Sequence, residues 1–309
     1  MPLEDVRALF EHWGDVTAEP RGIDYVEDAI GGLPALWVLP KGADDTRVLL
    51  CFHGGGYVLG SMYSHRKLYG HFARAAGCRA LIVDYRRAPE KPASGTGERL
   101  RGGLSRSARN RHRAVAGSVR GRFCGRRIGD HHASARPRTG LAVARPGAGH
   151  GPPYLDLEAT GETYDTNAAV DALGAREATV AFVDVFLGPG GNRHDPLASP
   201  LYADLSGLPP ILIQTGGDDV LLDDSRRFHA LARAAGVDAT LEVSPGQQHV
   251  FHFLAGVSPV ADAAIARAGG MAEAVKGLGD PPRYAVVREA TGSVCSSGTA
   301  RAAAAGWRW

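Results

Sequence analysis

Short apolar runs alternate along the chain with segments of helical period. Leu3, Val6, Phe10 and Trp13 share one helical face, so residues 3–13 are expected to form a helix packed on the body of the protein. Ile23 to Val26 and Leu36 to Leu39 read as two early strands separated by Gly31-Gly32. The run Val48-Leu49-Leu50-Cys51-Phe52 is short and apolar throughout, the pattern of a strand buried on both faces. Leu68 to Ala76 fits a helix closed by Gly77, and Ala80-Leu81-Ile82-Val83 is another buried strand. After Tyr154-Leu155-Asp156-Leu157 the spacing predicts a helix over 168–187, ended by Gly188-Pro189. A strand over Ile211 to Ile213, a helix over Asp224 to Ala235 and a strand over Ala239 to Val243 follow, and a last helix starts over Ala261 to Ala268. Strands alternating with helices predict an α/β fold, a mainly parallel sheet with helices on both faces.

The pattern fails in two places. From Pro92 to Pro152 no period of either kind persists, and Phe123 and Ile128 are the only large aromatic or β-branched aliphatic side chains besides valine. Such a stretch buries too little apolar surface to offset the entropy of ordering it. From about Gly270 the texture degrades again, into Gly, Arg, Ala and Ser. The chain therefore divides into a domain over 1–269, disrupted or irregular over about 92–152, and an irregular tail over 270–309.

Charge sharpens the first break. The 309 residues carry a net charge of +2, but residues 92–152 hold 13 Arg, no Lys and only Glu98 and Asp130 as acids. That segment sums to +11 and the rest of the chain to −9. The start, Met1-Pro2-Leu3-Glu4-Asp5, is acidic and does not read as a signal peptide, and no apolar run reaches the ~20 residues needed to span a membrane. Cys51, Cys78, Cys124 and Cys295 show neither a disulfide framework nor metal-ligand spacing, which points to a reducing, cytoplasmic setting.

Candidate chemistry sits at strand ends. His53-Gly54-Gly55-Gly56 follows directly on the strand ending at Phe52. Glycine has no Cβ and tolerates φ > 0, so its N–H groups can face a ligand closely, as in an oxyanion hole. Three glycines alone would read as a turn. Asp219, however, lies just past the strand Ile211 to Ile213, and His249 in the loop after the next strand. Parallel α/β sheets place their chemistry on such loops. An acid and then a histidine fit the late half of a Ser…Asp…His order, the histidine as base and the acid as its orienter.

His53-Gly54-Gly55-Gly56-Tyr57-Val58-Leu59-Gly60-Ser61, together with Asp84-Tyr85-Arg86-Arg87-Ala88-Pro89-Glu90, resembles the hormone-sensitive-lipase family of α/β-hydrolases, bacterial esterases above all. Asp219-Val220-Leu221-Leu222-Asp223 resembles the family's D-x-L-x-D acid motif, which favours Asp219 over Asp218. His249-Val250-Phe251 resembles its His-x-Phe segment, with His252 as runner-up. The resemblance covers roughly residues 1–91 and 153–268. It implies an α/β-hydrolase fold and a carboxylic-ester hydrolase acting on short acyl esters. It also implies oxyanion donors in Gly54, Gly55 and Gly56, with Gly55 and Gly56 foremost, and neither metal nor cofactor.

One part of the pattern is missing. The family nucleophile lies in G-D-S-A-G, and this chain contains no G-x-S-x-G. Ser94, Ser105, Ser107, Ser118 and Ser134 occupy the interval without the flanking glycines that a strained nucleophile elbow requires. Synonymous codons for Gly121-Arg122-Phe123-Cys124-Gly125-Arg126-Arg127-Ile128-Gly129, read one base later, can spell G-D-S-A-G-G-G-L. Residues 92–152 are accordingly expected to be an out-of-frame reading, and the tail a read-through. The chain as written is then expected to have little or no activity. The alternative is a non-catalytic binding protein on a hydrolase scaffold, its basic segment meeting nucleic acid. With one aromatic residue in the segment and no reader motif, a nucleic-acid partner is the weaker reading.

Overall fold

The hairpin that opens the sheet is built from two strands of eight residues, β1 (Ile23–Ile30) and β2 (Leu33–Pro40), paired antiparallel from Ile23↔Pro40 to Ile30↔Leu33. The computed structural model describes residues 1–30, 32–91, 144–150, 154–208, 210–274 and 285–289. Most of the arginine-rich segment and of the tail lies outside the described residues. Ahead of the hairpin runs helix α1 (Leu3–Glu11), prolonged by a 3-10 turn over His12–Val16. After it come β3 (Asp44–Phe52), α2 (Arg66–Ala75), β4 (Cys78–Val83) and β5 (Ala144–His150). The second half holds α3 (Thr163–Thr166), α4 (Arg176–Leu187), β6 (Ile211–Gly216), α5 (Leu222–Ala234), β7 (Ala239–Ser244), α6 (Pro259–Ala274) and β8 (Ala285–Glu289).

Among the described residues these strands form one sheet of eight, in the order β1-β2-β4-β3-β8-β5-β6-β7. The pairs β1/β2 and β2/β4 are antiparallel; all others are parallel. The period-two alternation of a strand sorts β3 onto two faces. Leu49 and Cys51 join Leu68, Phe72, Ile82 and Ile265 in the main core under α2 and α6, whereas Val48 packs with Trp37 and Leu81 on the opposite side. A separate cluster sets Ile211 and Ile213 of β6 against Phe228 and Ala232 of α5.

Several elements differ from the sequence pattern for local reasons. The helix expected over 168–187 begins only at Arg176, because Asp171 accepts the N–H groups of Leu173 and Gly174 at 2.8 Å each and turns the chain there. The last helix runs through Gly269 and Gly270 to Ala274, past the boundary set at 269. A Cβ on Gly269 would lie 2.5 Å from the backbone of Ala75, so the bare backbone is what lets α6 lie against α2. Within 92–152 the structure describes one strand, β5, and within the tail another, β8, which sits between β3 and β5.

Candidate active site

Asp219 and His249 reach each other because the loops that follow β6 and β7 touch backbone to backbone. Gly217 N–H donates to Ser244 O at 2.8 Å and Asp218 N–H to Gln247 O at 3.0 Å. A Cβ on Gly216 would lie 2.2 Å from Gln247 O, so this approach needs glycine. Asp219 is fully buried, and its Oδ2 stands 3.0 Å from His249 Nδ1, on a ring whose side chain is 21% exposed. The carboxylate's Oδ1 accepts the Leu221 N–H at 2.8 Å. Asn167 clamps the same loop, its Nδ2 donating to Gly217 O at 3.0 Å and to Asp219 O at 2.9 Å, while Asp171 takes the Val220 N–H at 2.7 Å. A buried carboxyl group needs partners for its oxygens, and the Leu221 N–H and the His249 ring supply them here.

With Asp219 on Nδ1, the neutral His249 ring carries its proton there and offers a lone pair at Nε2. Val250, the next residue, is left-handed at φ 49°, a costly conformation for a β-branched side chain. Its carbonyl accepts the Phe253 N–H at 3.0 Å and closes the turn after the histidine, which sets Val250 and Phe253 in the main core. His252 points elsewhere. It is fully buried, its Nε2 lies 3.2 Å from Gln214 Oε1, and burial pushes its pKa down to about 3. Asp218, the other acid considered, is half-buried and meets the β7 loop through its backbone.

The glycine run turns sharply. Gly55 (φ 111°), Gly56 (φ 59°) and Tyr57 (φ 66°) are all in the positive-φ region, and Gly55 O accepts the N–H groups of Val58 and Leu59 at 3.1 and 2.8 Å. A Cβ on Gly55 would lie 2.4 Å from Leu59 O. Gly54 N–H is held by His65 Nε2 at 2.9 Å, and its carbonyl would meet any Cβ on Gly60 at 2.4 Å. His53 is buried and stacked on Tyr85 at 4.1 Å, with Nε2 3.4 Å from Asp84 Oδ1.

Aromatic side chains stand around the turn. Tyr57 stacks on Phe186 of α4 at 3.8 Å, and the space a Gly56 Cβ would take is bounded by the Tyr154 ring at 3.1 Å and Phe182 at 3.6 Å. Leu3, Val6 and Phe10 of α1 pack on Val58, Leu59 and Ala88. Arg7 secures that helix: it donates to Val58 O at 3.0 Å, to Ala88 O at 2.8 Å and to both carboxylate oxygens of Glu90 at 2.6 and 2.9 Å. Asn167, Asp171, His65 and Arg7 were not apparent from the sequence.

The expected nucleophile interval, apart from the backbone of residues 144–150, lies outside the described residues. The five serines considered there lie outside the described residues. Among the described residues no cluster of His, Cys, Asp or Glu could hold a metal ion, and no helix is long and apolar enough to cross a membrane.

Comparison with known proteins gives consistent matches. A family profile for the alpha/beta hydrolase fold matches residues 49–253. An acetyl-hydrolase from Streptomyces hygroscopicus is 34% identical over 90% of this chain and 98% of its own length. An esterase from Acinetobacter venetianus is 31% identical over 72% of this chain and 74% of its own. Among solved structures, an esterase of the bacterial hormone-sensitive lipase family superposes with a TM-score of 0.73 at 35% identity, covering 89% of this chain and 92% of that one.

Proposed function

The chain belongs to the α/β-hydrolase fold family, as a carboxylic-ester hydrolase of the hormone-sensitive-lipase type, and from that premise we propose a serine-esterase mechanism on the Asp219–His249 pair. The observation that carries the proposal is the 3.0 Å contact of His249 Nδ1 with the buried Asp219 Oδ2, made by two adjacent strand-end loops. His249 Nε2 takes the proton of a serine hydroxyl as its oxygen attacks the ester carbonyl. Asp219 holds the tautomer and stabilises the imidazolium that forms. The carbonyl oxygen becomes an oxyanion, met by the N–H groups of Gly55 and Gly56 with Gly54 behind them. His249 then gives its proton to the leaving alkoxide, and water releases the acyl group by the same steps in reverse. The likeness to an acetyl-hydrolase favours short acyl esters as substrates. The aromatic side chains that crowd Gly56 agree with a small acyl group.

The serine is the part this polypeptide lacks. In the proposed reading, residues 92–152 are an out-of-frame rendering of the elbow region and 270–309 a read-through tail, so the chain as written turns over little or no ester. Removing a triad nucleophile costs on the order of 10⁶ in kcat in a well-studied protease. The same reading makes the protein cytoplasmic, with Cys51 and Cys78 as buried free thiols, and leaves nucleic acid without a role. Two measurements test it. The coding DNA across codons 88–156 is expected to spell G-D-S-A-G one base out of frame; codons that cannot do so sink the frameshift. Homogeneous protein of this sequence is expected to leave p-nitrophenyl butyrate unhydrolysed. Turnover abolished by His249→Ala would overturn the inactivity and keep the mechanism, whereas turnover indifferent to His249 would overturn the mechanism.

A further inference from the structure

We propose that His65 is a positioning residue of the site: its ring fixes the peptide plane just ahead of the oxyanion donors and joins that loop to the turn bearing His249. Its functional meaning rests on the ester-hydrolase reading; its test does not.

The His53–Gly54 peptide is gripped on both sides. Its carbonyl oxygen accepts the Tyr85 hydroxyl at 2.9 Å, and its N–H donates to His65 Nε2 at 2.9 Å. Glycine imposes few torsional limits of its own, so a Gly-Gly-Gly run needs outside contacts to aim its N–H groups. The grip on Gly54 orients the start of the next peptide plane, which carries the Gly55 N–H.

The ring can do this in one protonation state only. Gly54 N–H needs a lone pair at Nε2, so the neutral ring has its proton on Nδ1. Nδ1 stands 2.8 Å from Ser64 Oγ, which therefore accepts there and sends its own proton to Ser61 O at 3.0 Å. A cationic ring would aim a second N–H at that of Gly54. Full burial keeps the ring neutral by holding its pKa well below the ordinary value, with the neighbouring His53 acting in the same direction.

The same ring meets the other parts of the site. Phe253, in the turn Phe251–Leu254 that follows His249, packs edge-on against it at 5.0 Å. Phe10 of α1 lies at 6.4 Å and Tyr69 of α2 at 6.0 Å. One imidazole thus touches the glycine loop by a hydrogen bond, and the base-bearing turn and the N-terminal helix by ring contacts.

The test begins with the unmodified chain. Long-range ¹H–¹⁵N correlation is expected to show His65 as the Nδ1–H tautomer, unchanged between pH 5 and pH 8. An Nε2–H tautomer, or a ring that titrates in that range, overturns the proposal whatever any variant does. Hydrogen exchange at the Gly54 amide follows. His65→Phe keeps a ring and removes the acceptor, and is expected to speed that exchange about five- to tenfold while the amides of β3 and α2 keep their rates. His65→Gln, whose Oε1 can accept in place of Nε2, is expected to restore most of the protection. Equal Gly54 exchange in the parent chain and His65→Phe, or no difference between Phe and Gln, overturns it. Loss of the ester-hydrolase reading would leave both measurements where they are.

Discussion

Asp224 is a carboxyl group with almost no water around it. Its Oδ2 accepts the N–H groups of Leu155 and Asp156 at 3.1 Å each, yet burial prevails and pushes its pKa up to about 8. A folded-state pKa above the unfolded value of about 3.9 means that the native state binds the proton more tightly. That contribution is fully present below about pH 4 and is lost as pH rises through about 8. Urea denaturation is therefore expected to show stability falling from pH 5 to pH 8, by at most about 1.4 kcal/mol per pH unit from this group. Asp224→Asn keeps an acceptor without the charge and is expected to flatten the slope and raise the midpoint at pH 8. At this scale the sequence was informative where chemistry followed a strand end: Asp219 and His249 stood out by order and position, and the structure brings them together. His65, Asn167 and Arg7 did not, since the groups they hold at the site, Gly54, the loop over 217–219 and Glu90, lie 11 to 83 residues away and no local pattern joins them.

Between elements, contact depends on backbones coming closer than side chains allow. The loops after β6 and β7 are the sharpest case. Gly216→Ala would drive a methyl against Gln247 O and is expected to cost about 1–3 kcal/mol, with weakened coupling between Asp219 and His249. Thermal unfolding and the ¹⁵N spectrum of His249 would register the two effects. Helix α1 depends instead on Arg7. Arg7→Met is expected to cost about 2–3 kcal/mol and to make residues 1–20 the first cut in limited proteolysis. The hydrogen bond from Arg7 holds the Glu90 carboxyl down at about 2. Its share of the docking is thus present above about pH 4 and lost as pH falls through about 2, though solvent screens much of it at an exposed side chain. Element types were legible from apolar period; boundaries were not. Asp171 delays α4, and Gly269 and Gly270 continue α6, because a side-chain acceptor and a neighbouring helix outweigh the local preference.

For the whole molecule the pattern predicted alternating layers, and the described residues have them, with an antiparallel hairpin at one edge that the pattern did not specify. What it did not foresee is the middle of the sheet. Ala285–Glu289 pairs in parallel with β3 from Leu49↔Ala285 to Phe52↔Arg288, and on its other side with β5. Ending the chain after Ala274 would leave both neighbours with open edges. That truncation is expected to aggregate on size-exclusion chromatography and to lose a cooperative urea transition, whereas unchanged behaviour would mean that β8 adds nothing to the sheet. The placement also bears on time. A ribosome delivers β3 early and its central neighbour more than two hundred residues later, so the sheet cannot be completed in the order of its synthesis. Two half-sheets must wait, each with an unpaired strand edge, for the final strand to arrive. Yield in the cell should then follow the speed of translation and the supply of chaperones more closely than it follows the stability of the finished protein.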